Sequence, residues 1–199
     1  MQRRGGRLIA IEGIDQAGKR TQANLLAARI RRSGTKVFVV NFPDYRTPLG
    51  KQLKAYLTGK LRLDIHSVHL LYAANKWEVA PQLARRLERG EVAVVNRYSP
   101  SNLAYGAAHG LPRDWLAWVE SQLPEPDVVV LLDIPPKVSR VRKRVGRDVH
   151  EGNFAYLNKV RREYLRLANK YGWRVIDGSQ DPDTVAGLVW TKVAFILRH

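Results

Sequence analysis

Cysteine is absent from the 199 residues, which excludes a disulfide framework, a thiolate metal site and a cysteine nucleophile. Long apolar runs are missing as well. No stretch approaches the roughly 20 apolar residues that a membrane span needs. The apolar run from Leu8 to Ile11, behind the basic start, is far too short for a signal peptide. Together these predict a cytoplasmic protein with no membrane role. Acidic residues are scarce, with 18 Asp and Glu against 34 Lys and Arg and a net charge of +16. Such an excess can mark a nucleic-acid binder. Here, however, the positive residues are dispersed, and the runs at Arg29–Arg32, Arg85–Arg86 and Arg161–Arg162 read as solvated helix faces. Only the run from Arg140 to Arg147 stands apart. A basic surface that serves polyanionic nucleotides accounts for the charge, and nucleic acid is not the expected partner.

What is present is an ordinary globular composition, 45% hydrophobic and 26% charged, with no internal repeat and no low-complexity linker. The length suits one domain, residues 1–199, able to bury its core without staples. Strand and helix patterns alternate. Strands are expected at Arg7–Glu12, Thr35–Phe42, Val92–Asn96, Asp127–Asp133 and Trp173–Asp177. Helices are expected at Lys19–Ser33, Thr47–Thr58, Ile65–Arg89, Ser99–Gly106, Arg113–Leu123, Lys137–Val145, Asn153–Tyr171 and Asp181–Leu197. Gly34 and Gly90 supply stops, and Pro81 is a place for a kink. The runs Val92–Asn96 and Asp127–Asp133 show no polar alternation, so both faces of those strands should be buried. Five such strands with helices between them predict an α/β, doubly wound fold: a five-stranded parallel sheet covered on both faces.

One motif carries chemistry on its own. Gly13-Ile14-Asp15-Gln16-Ala17-Gly18-Lys19 follows the first strand and opens the first helix, the context of a P-loop. Its glycines let the backbone curl so that successive N–H groups face phosphate oxygens, and the helix N-terminus adds positive potential there. Lys19 is placed to reach the β- and γ-phosphates of ATP. The strict motif ends in Ser or Thr, whose hydroxyl binds magnesium, but Arg20 stands there and Thr21 comes one residue late. Arg20 is either a phosphate ligand or an exposed helix residue.

Further blocks extend the match. Glu12 to Gln22 resembles the opening of thymidylate kinases, and so does Phe42-Pro43 after the second strand. His66 to Glu78 is similar to that family's base-stacking helix. Asn96-Arg97-Tyr98 stands at its Asp-Arg-Tyr position. Ser101-Asn102 with Tyr105 resembles the nucleoside-contacting segment of bacterial members, and Leu123 to Asp127 matches the entry to the fourth strand. The blocks keep their order across residues 8 to 167. The Lys-Arg-Thr ending of the loop resembles that of some members.

The resemblance implies a P-loop NTPase fold with a mobile lid over about residues 140–152, and transfer of the ATP γ-phosphate to dTMP with Mg2+. It also implies a homodimer packed through helices, for which Leu70-Leu71 and Trp115 to Trp118 are apolar candidates. It places Asp15 at the acceptor phosphate or sugar hydroxyl, and Phe42 and Tyr72 as walls of the thymine slot. Tyr45 falls beside the acceptor phosphate or sugar, and Arg97 bridges donor and acceptor phosphates. Ser101 and Asn102 fall at the pyrimidine edge, and Tyr105 at the sugar 2′ position. Lys76 replaces an Arg that bonds the base, keeping charge but losing the fork. Asn96 replaces an Asp near the magnesium shell.

One subtype carries its catalytic arginine in the P-loop at position 16, and another carries it in the lid. Gln16 cannot serve, so the lid is expected to supply the charge through Arg147 or Arg144. His150-Glu151 replaces a Tyr-Glu pair: Glu151 with Asp15 is expected to hold the metal, and His150 falls at the sugar. Two other readings stay open: a related kinase with dUMP, dCMP or AMP as acceptor, motivated by Lys76 and His150, and a decayed nucleotide-binding protein, motivated by Arg20 and Asn96.

Overall fold

In a computed structural model, residues 5–142 and 154–197 are described. Five strands, β1 (Arg7–Glu12), β2 (Val37–Asn41), β3 (Val92–Asn96), β4 (Val128–Asp133) and β5 (Arg174–Asp177), form one sheet in the order β2-β3-β1-β4-β5. Every pairing is parallel, with Ile9 of β1 opposite Val94 of β3 and Val128 of β4. The helices are α1 (Lys19–Arg32), α2 (Pro48–Leu57), α3 (Ile65–Glu88), α4 (Ser99–Ala108), α5 (Arg113–Glu120), α6 (Pro136–Arg142), α7 (Phe154–Tyr171) and α8 (Pro182–Val193), followed by a 3-10 turn, Ala194–Leu197.

The unbroken apolar strands are explained by two cores. Ile9, Ile11, Val94, Val130 and Leu132 face Leu26 and Ile30 of α1, Val160 and Leu167 of α7, and Val185 and Val189 of α8. The alternate residues Leu8, Ala10, Ala93, Val95 and Val129 face Ala80, Leu83 and Leu87 of α3. A strand whose successive side chains enter opposite cores shows no polar alternation, because both faces are dry. Burying a Leu or Ile side chain contributes about 1.5–3 kcal/mol, so these two layers dominate the fold's stability.

Element ends follow local chemistry. Thr47 caps α2 by accepting from the Gly50 N–H, Asp64 caps α3 at His66, and Asp181 caps α8 at Asp183 and Thr184. Pro48 and Pro182 open their helices, where the missing N–H costs nothing. Gly34 and Gly90, with φ of 82° and 80°, follow α1 and α3 in the left-handed state that glycine adopts freely. α3 runs unbroken through Pro81. The second strand is shorter than expected, by two residues at its start and one at its end, where Pro43 offers no N–H to prolong the ladder. The last helix tightens into the 3-10 turn after Val193.

This topology brings the segments after β1 and β3, the two central neighbours, to one edge of the sheet, outside the carboxyl ends of the strands, where open α/β sheets bind ligands. Gly13, the first residue beyond β1, has φ of 139°, and a Cβ there would lie 2.4 Å from the Leu132 carbonyl oxygen. Gly13→Ala is therefore expected to destabilise the protein by roughly 1–3 kcal/mol through strain and overlap. Calorimetric melting should register a drop of several degrees.

Candidate active site

The loop leaving β1 curls as a phosphate cradle must. Gln16 and Gly18 both take positive φ, 63° and 87°. Gly18 precedes α1 without any side-chain cap, and the first turn of α1 carries no acidic residue. The N-terminal N–H groups and their positive potential therefore face the loop's hollow rather than a carboxylate. Lys19 is buried and its Nζ donates to the Ile14 carbonyl at 2.7 Å, folded over the loop it would share with a phosphate. Arg20 and Thr21 are exposed on the first turn of α1.

Beside the loop stands an ion pair. Arg97 Nη2 donates to Asp15 Oδ1, and the Tyr105 hydroxyl donates to Asp15 Oδ2 at 2.7 Å. Both partners are more than four-fifths buried, with 17% and 18% of their side-chain surface exposed. Burial works to raise the Asp15 carboxyl, but the charges of Arg97 and Lys19, with bonds from Tyr105 and Arg97, outweigh it and bring it down to about 2. Burial opposes the charge on Arg97, yet Asp15 more than offsets it and the guanidinium stays protonated. Burial also lifts the Tyr105 hydroxyl well above its usual range, so it remains a donor. The Arg97 guanidinium carbon lies 5.1 Å from the centre of the Tyr105 ring. Arg97 itself has φ of 62°, a left-handed conformation unusual for a side-chain-bearing residue.

A cavity opens from this pair. Asp15, Arg97 and Tyr105 form one end, and Phe42, Tyr45, Tyr72, Lys76, Ser101 and Asn102 line the rest. The structure thus brings together all the described residues that the sequence assigned to the acceptor. Phe42 is buried against Tyr98, with ring centres 5.9 Å apart, while Tyr45 is 40% exposed at the rim. The loop carrying Phe42 and Tyr45 is held to α3 by Asn75, which accepts from the Asp44 N–H and donates to the Asp44 carbonyl, Thr47 Oγ1 and Glu78.

The polar groups at the base end are already engaged. Lys76 Nζ donates to Glu120 Oε1 at 2.9 Å and to the Tyr72 carbonyl at 3.2 Å, with both members of the ion pair at 4% or less exposure. Asn102 Nδ2 donates to the same Glu120 oxygen and to the His69 carbonyl, and Asn102 Oδ1 lies 2.6 Å from His69 Nδ1. That pattern requires the His69 proton on Nδ1. His69 Nε2 continues to His109 at 3.2 Å. Sequence reasoning missed Glu120, His69 and His109. The first signal for Glu120 is the buried lysine that needs a counter-charge, which only the structure reveals. Ser101 is likewise turned inward, donating to Glu12 Oε2 at 2.6 Å.

Asn96 does not line the cavity. Its Nδ2 donates to Asn41 Oδ1 at 2.9 Å across β2 and β3. Arg142, at the end of α6, donates to the carbonyls of Gln16, Gly178 and Ser179, tying that helix to the P-loop and to the turn after β5. The expected lid residues Arg144, Arg147, His150 and Glu151 lie outside the described residues. Among the described residues no group of three or more His, Asp or Glu could hold a metal. A single ionised carboxylate, Asp15, beside a phosphate cradle suits Mg2+, which takes one or two carboxylates together with nucleotide oxygens and water rather than an all-protein cage.

The arrangement can hold a polyphosphate on one side of Arg97 and a flat, neutral ring between aromatic walls on the other. The chain is similar to known proteins. The thymidylate kinase family model matches residues 11–188. The thymidylate kinase of Danio rerio is 36% identical over 184 residues, covering 92% of this chain and 87% of that protein. The Homo sapiens thymidylate kinase is 34% identical over 188 residues, covering 93% and 88%. The solved thymidylate kinase of Candida albicans, described as having broad substrate specificity, superposes with a TM-score of 0.86 at 30% identity, covering 96% of this chain and 92% of that one.

The Asp15 pair has a pH signature. Because the folded-state pKa of about 2 lies below the ordinary 3.8, its stabilisation is present above pH 3.8 and is lost as the pH falls through about 2. In metal-free buffer, Asp15→Asn is expected to melt below wild type near pH 5. That gap should close between about pH 4 and pH 2 in thermal scans.

Proposed function

The chain belongs to the thymidylate kinase family and is an ATP-dependent phosphotransferase of that kind, and we propose that it transfers the ATP γ-phosphate to dTMP, giving dTDP, in the cleft between the P-loop and α3. One observation carries this reading: Arg97 and Asp15 stand between a phosphate cradle and a slot walled by Phe42 and Tyr72. The catalytic work is positioning and charge compensation, since phosphoryl transfer needs little covalent help from the protein.

In this reading the N–H groups of Gly13 to Thr21 and the Lys19 ammonium, released from the Ile14 carbonyl, hold the β- and γ-phosphates. Arg97 bridges donor and acceptor phosphates with its planar fork. Its contact with Asp15 orders the guanidinium before substrate arrives, so less reorganisation is needed during transfer. Asp15 holds Mg2+, with Glu151 as a second ligand, and the ion when bound neutralises phosphate charge. Phe42 and Tyr72 stack the base, worth about 1–3 kcal/mol. Tyr105, fixed by Asp15, crowds the sugar 2′ position and favours deoxyribose. Tyr45 lies beside the acceptor phosphate or sugar.

Base reading falls to Lys76, whose two bonds to Glu120 and Tyr72 leave a third N–H for a carbonyl oxygen. Asn102 braces this ion pair, and Ser101 and His150 complete the nucleoside contacts. Arg144 or Arg147 supplies lid charge to the transferring group. We assign the whole of residues 1–199 to one kinase domain, working in the cytoplasm.

The enzyme is proposed to act as a homodimer through α3. Leu70 and Trp77, one helical face apart by seven residues, are 46% and 44% exposed. Large apolar side chains aligned on an outward helix stripe support a partner surface.

Three measurements test these statements. With a panel of monophosphates, kcat/KM for dTMP should exceed that for dCMP and AMP by at least about tenfold. Lys19→Ala should lower turnover by about a hundredfold or more with the fold intact. Equal use of the panel would remove dTMP as the acceptor. In sedimentation velocity, the wild type should run as a dimer and Leu70→Glu/Trp77→Glu as a monomer; a monomeric wild type would refute the dimer.

A further inference from the structure

Glu12 ends β1, is fully buried, and has no part in the phosphate handling described above. Its carboxylate is nevertheless a hub. Oε1 accepts the Tyr98 backbone N–H at 2.7 Å. Oε2 accepts from Ser101 Oγ at 2.6 Å and from the Tyr164 hydroxyl at 3.0 Å. Those two hydroxyls also lie 2.8 Å from each other. A carboxyl in so dry a place is costly unless its acceptor sites are matched. Burial pushes it above the usual carboxylate range, against the pull of these donors and of the Arg97 charge.

Every donor but one belongs to the segment that carries Arg97, and the remaining one, Tyr164, comes from α7 packed upon it. The Arg97 N–H is held by the Ile11 carbonyl at 3.1 Å and the Tyr98 N–H by Glu12. Between these two clamps, Arg97 takes its left-handed φ of 62°. Such a backbone state costs roughly 1–3 kcal/mol and persists only where the surroundings hold it. The same carboxylate reaches the guanidinium as well, because Ser101 Oγ, which donates to Glu12, accepts from Arg97 Nη1 at 3.4 Å.

We propose that Glu12 is a positioning residue for the transfer reaction: it locks the left-handed backbone at Arg97 and, through Ser101, aims the guanidinium into the space between the P-loop and the acceptor slot. This rests on the role given to Arg97 under the proposed function. Tyr164 takes part as the third contact on the carboxylate and fixes its rotation. Ser101 is thereby assigned to Arg97 as much as to the nucleoside.

The test is a pair of double-mutant cycles in the full chain, read as kcat and KM. Glu12→Gln keeps the volume and an acceptor for the Tyr98 N–H, but puts an NH2 where Oε2 received two hydroxyls. It should lower kcat by about ten- to a hundredfold while KM for ATP stays within about twofold. Tyr164→Phe should lower kcat several-fold. Either change combined with Arg97→Ala should be no slower than Arg97→Ala alone, because the loss runs through that guanidinium. Multiplicative losses in the combined variants overturn the proposal, as does a Glu12→Gln enzyme that melts earlier yet keeps its kcat. If Glu12→Gln does not fold, the Tyr164→Phe cycle decides by the same criterion. An Arg97→Ala enzyme of nearly full activity marks a different failure, that of the Arg97 assignment itself, and removes this inference with it.

Discussion

The contact between the Arg97 guanidinium and the Asp15 carboxylate joins the two halves of the site. Asp15 belongs to the loop after β1, and Arg97 to the turn after β3. Those strands are adjacent and in register up to Ile11 opposite Asn96, the last residue of β3, so the two loops leave the sheet side by side. The attraction between them acts in a nearly dry cleft, where it is far stronger than in water. It draws Tyr105 into the same cluster through Asp15. Remove the register between β1 and β3 and the P-loop, Arg97 and Tyr105 lose their common point.

That register is in turn a product of burial on both faces. Leu8 and Ala10 enter one core while Ile9 and Ile11 enter the other. A one-residue slip would exchange the two sets and misfit both cores at once. The apolar layers therefore set positions of polar groups they never touch. α3 contributes in a second way: its inner face supplies Leu83 and Leu87 to the core, and its earlier turns supply Tyr72, Asn75 and Lys76 to the cavity. One helix thus ties the cavity to the sheet that carries the P-loop.

Strand and helix positions were legible because the apolar strands and glycine stops are local signals. Val92–Asn96 and Arg7–Glu12 match the structure to the residue, whereas β2 is shorter by two residues at its start and one at its end. The P-loop was readable because its spacing depends on backbone geometry within seven residues. The partners of its side chains were not. Glu120 stands 44 positions from Lys76, and Tyr164 stands 152 from Glu12. Neither lies in a motif, since any residue of suitable charge and length arriving at those places by folding would do. Asn102 and Ser101, expected at the pyrimidine edge, both line the cavity, and their hydrogen bonds in the structure run to His69 and Glu120 and to Glu12.

The same partners explain the departures from the family pattern without invoking decay. Lys76, where the resemblance expects arginine, is not a stray charge, because Glu120 and the Tyr72 carbonyl hold it. Breaking such a buried pair on one side costs about 3–5 kcal/mol, so the lysine and its partner are a single unit. Asn96 faces Asn41 Oδ1 and gives it an N–H. The two amides pair there without bringing a charge to the ends of β2 and β3. Arg20 points to solvent from α1, leaving the N–H groups beneath it unobstructed. Lys76 and the Asn96 amide N–H are thus each matched to a neighbour in the structure, as expected of a site retuned in its details.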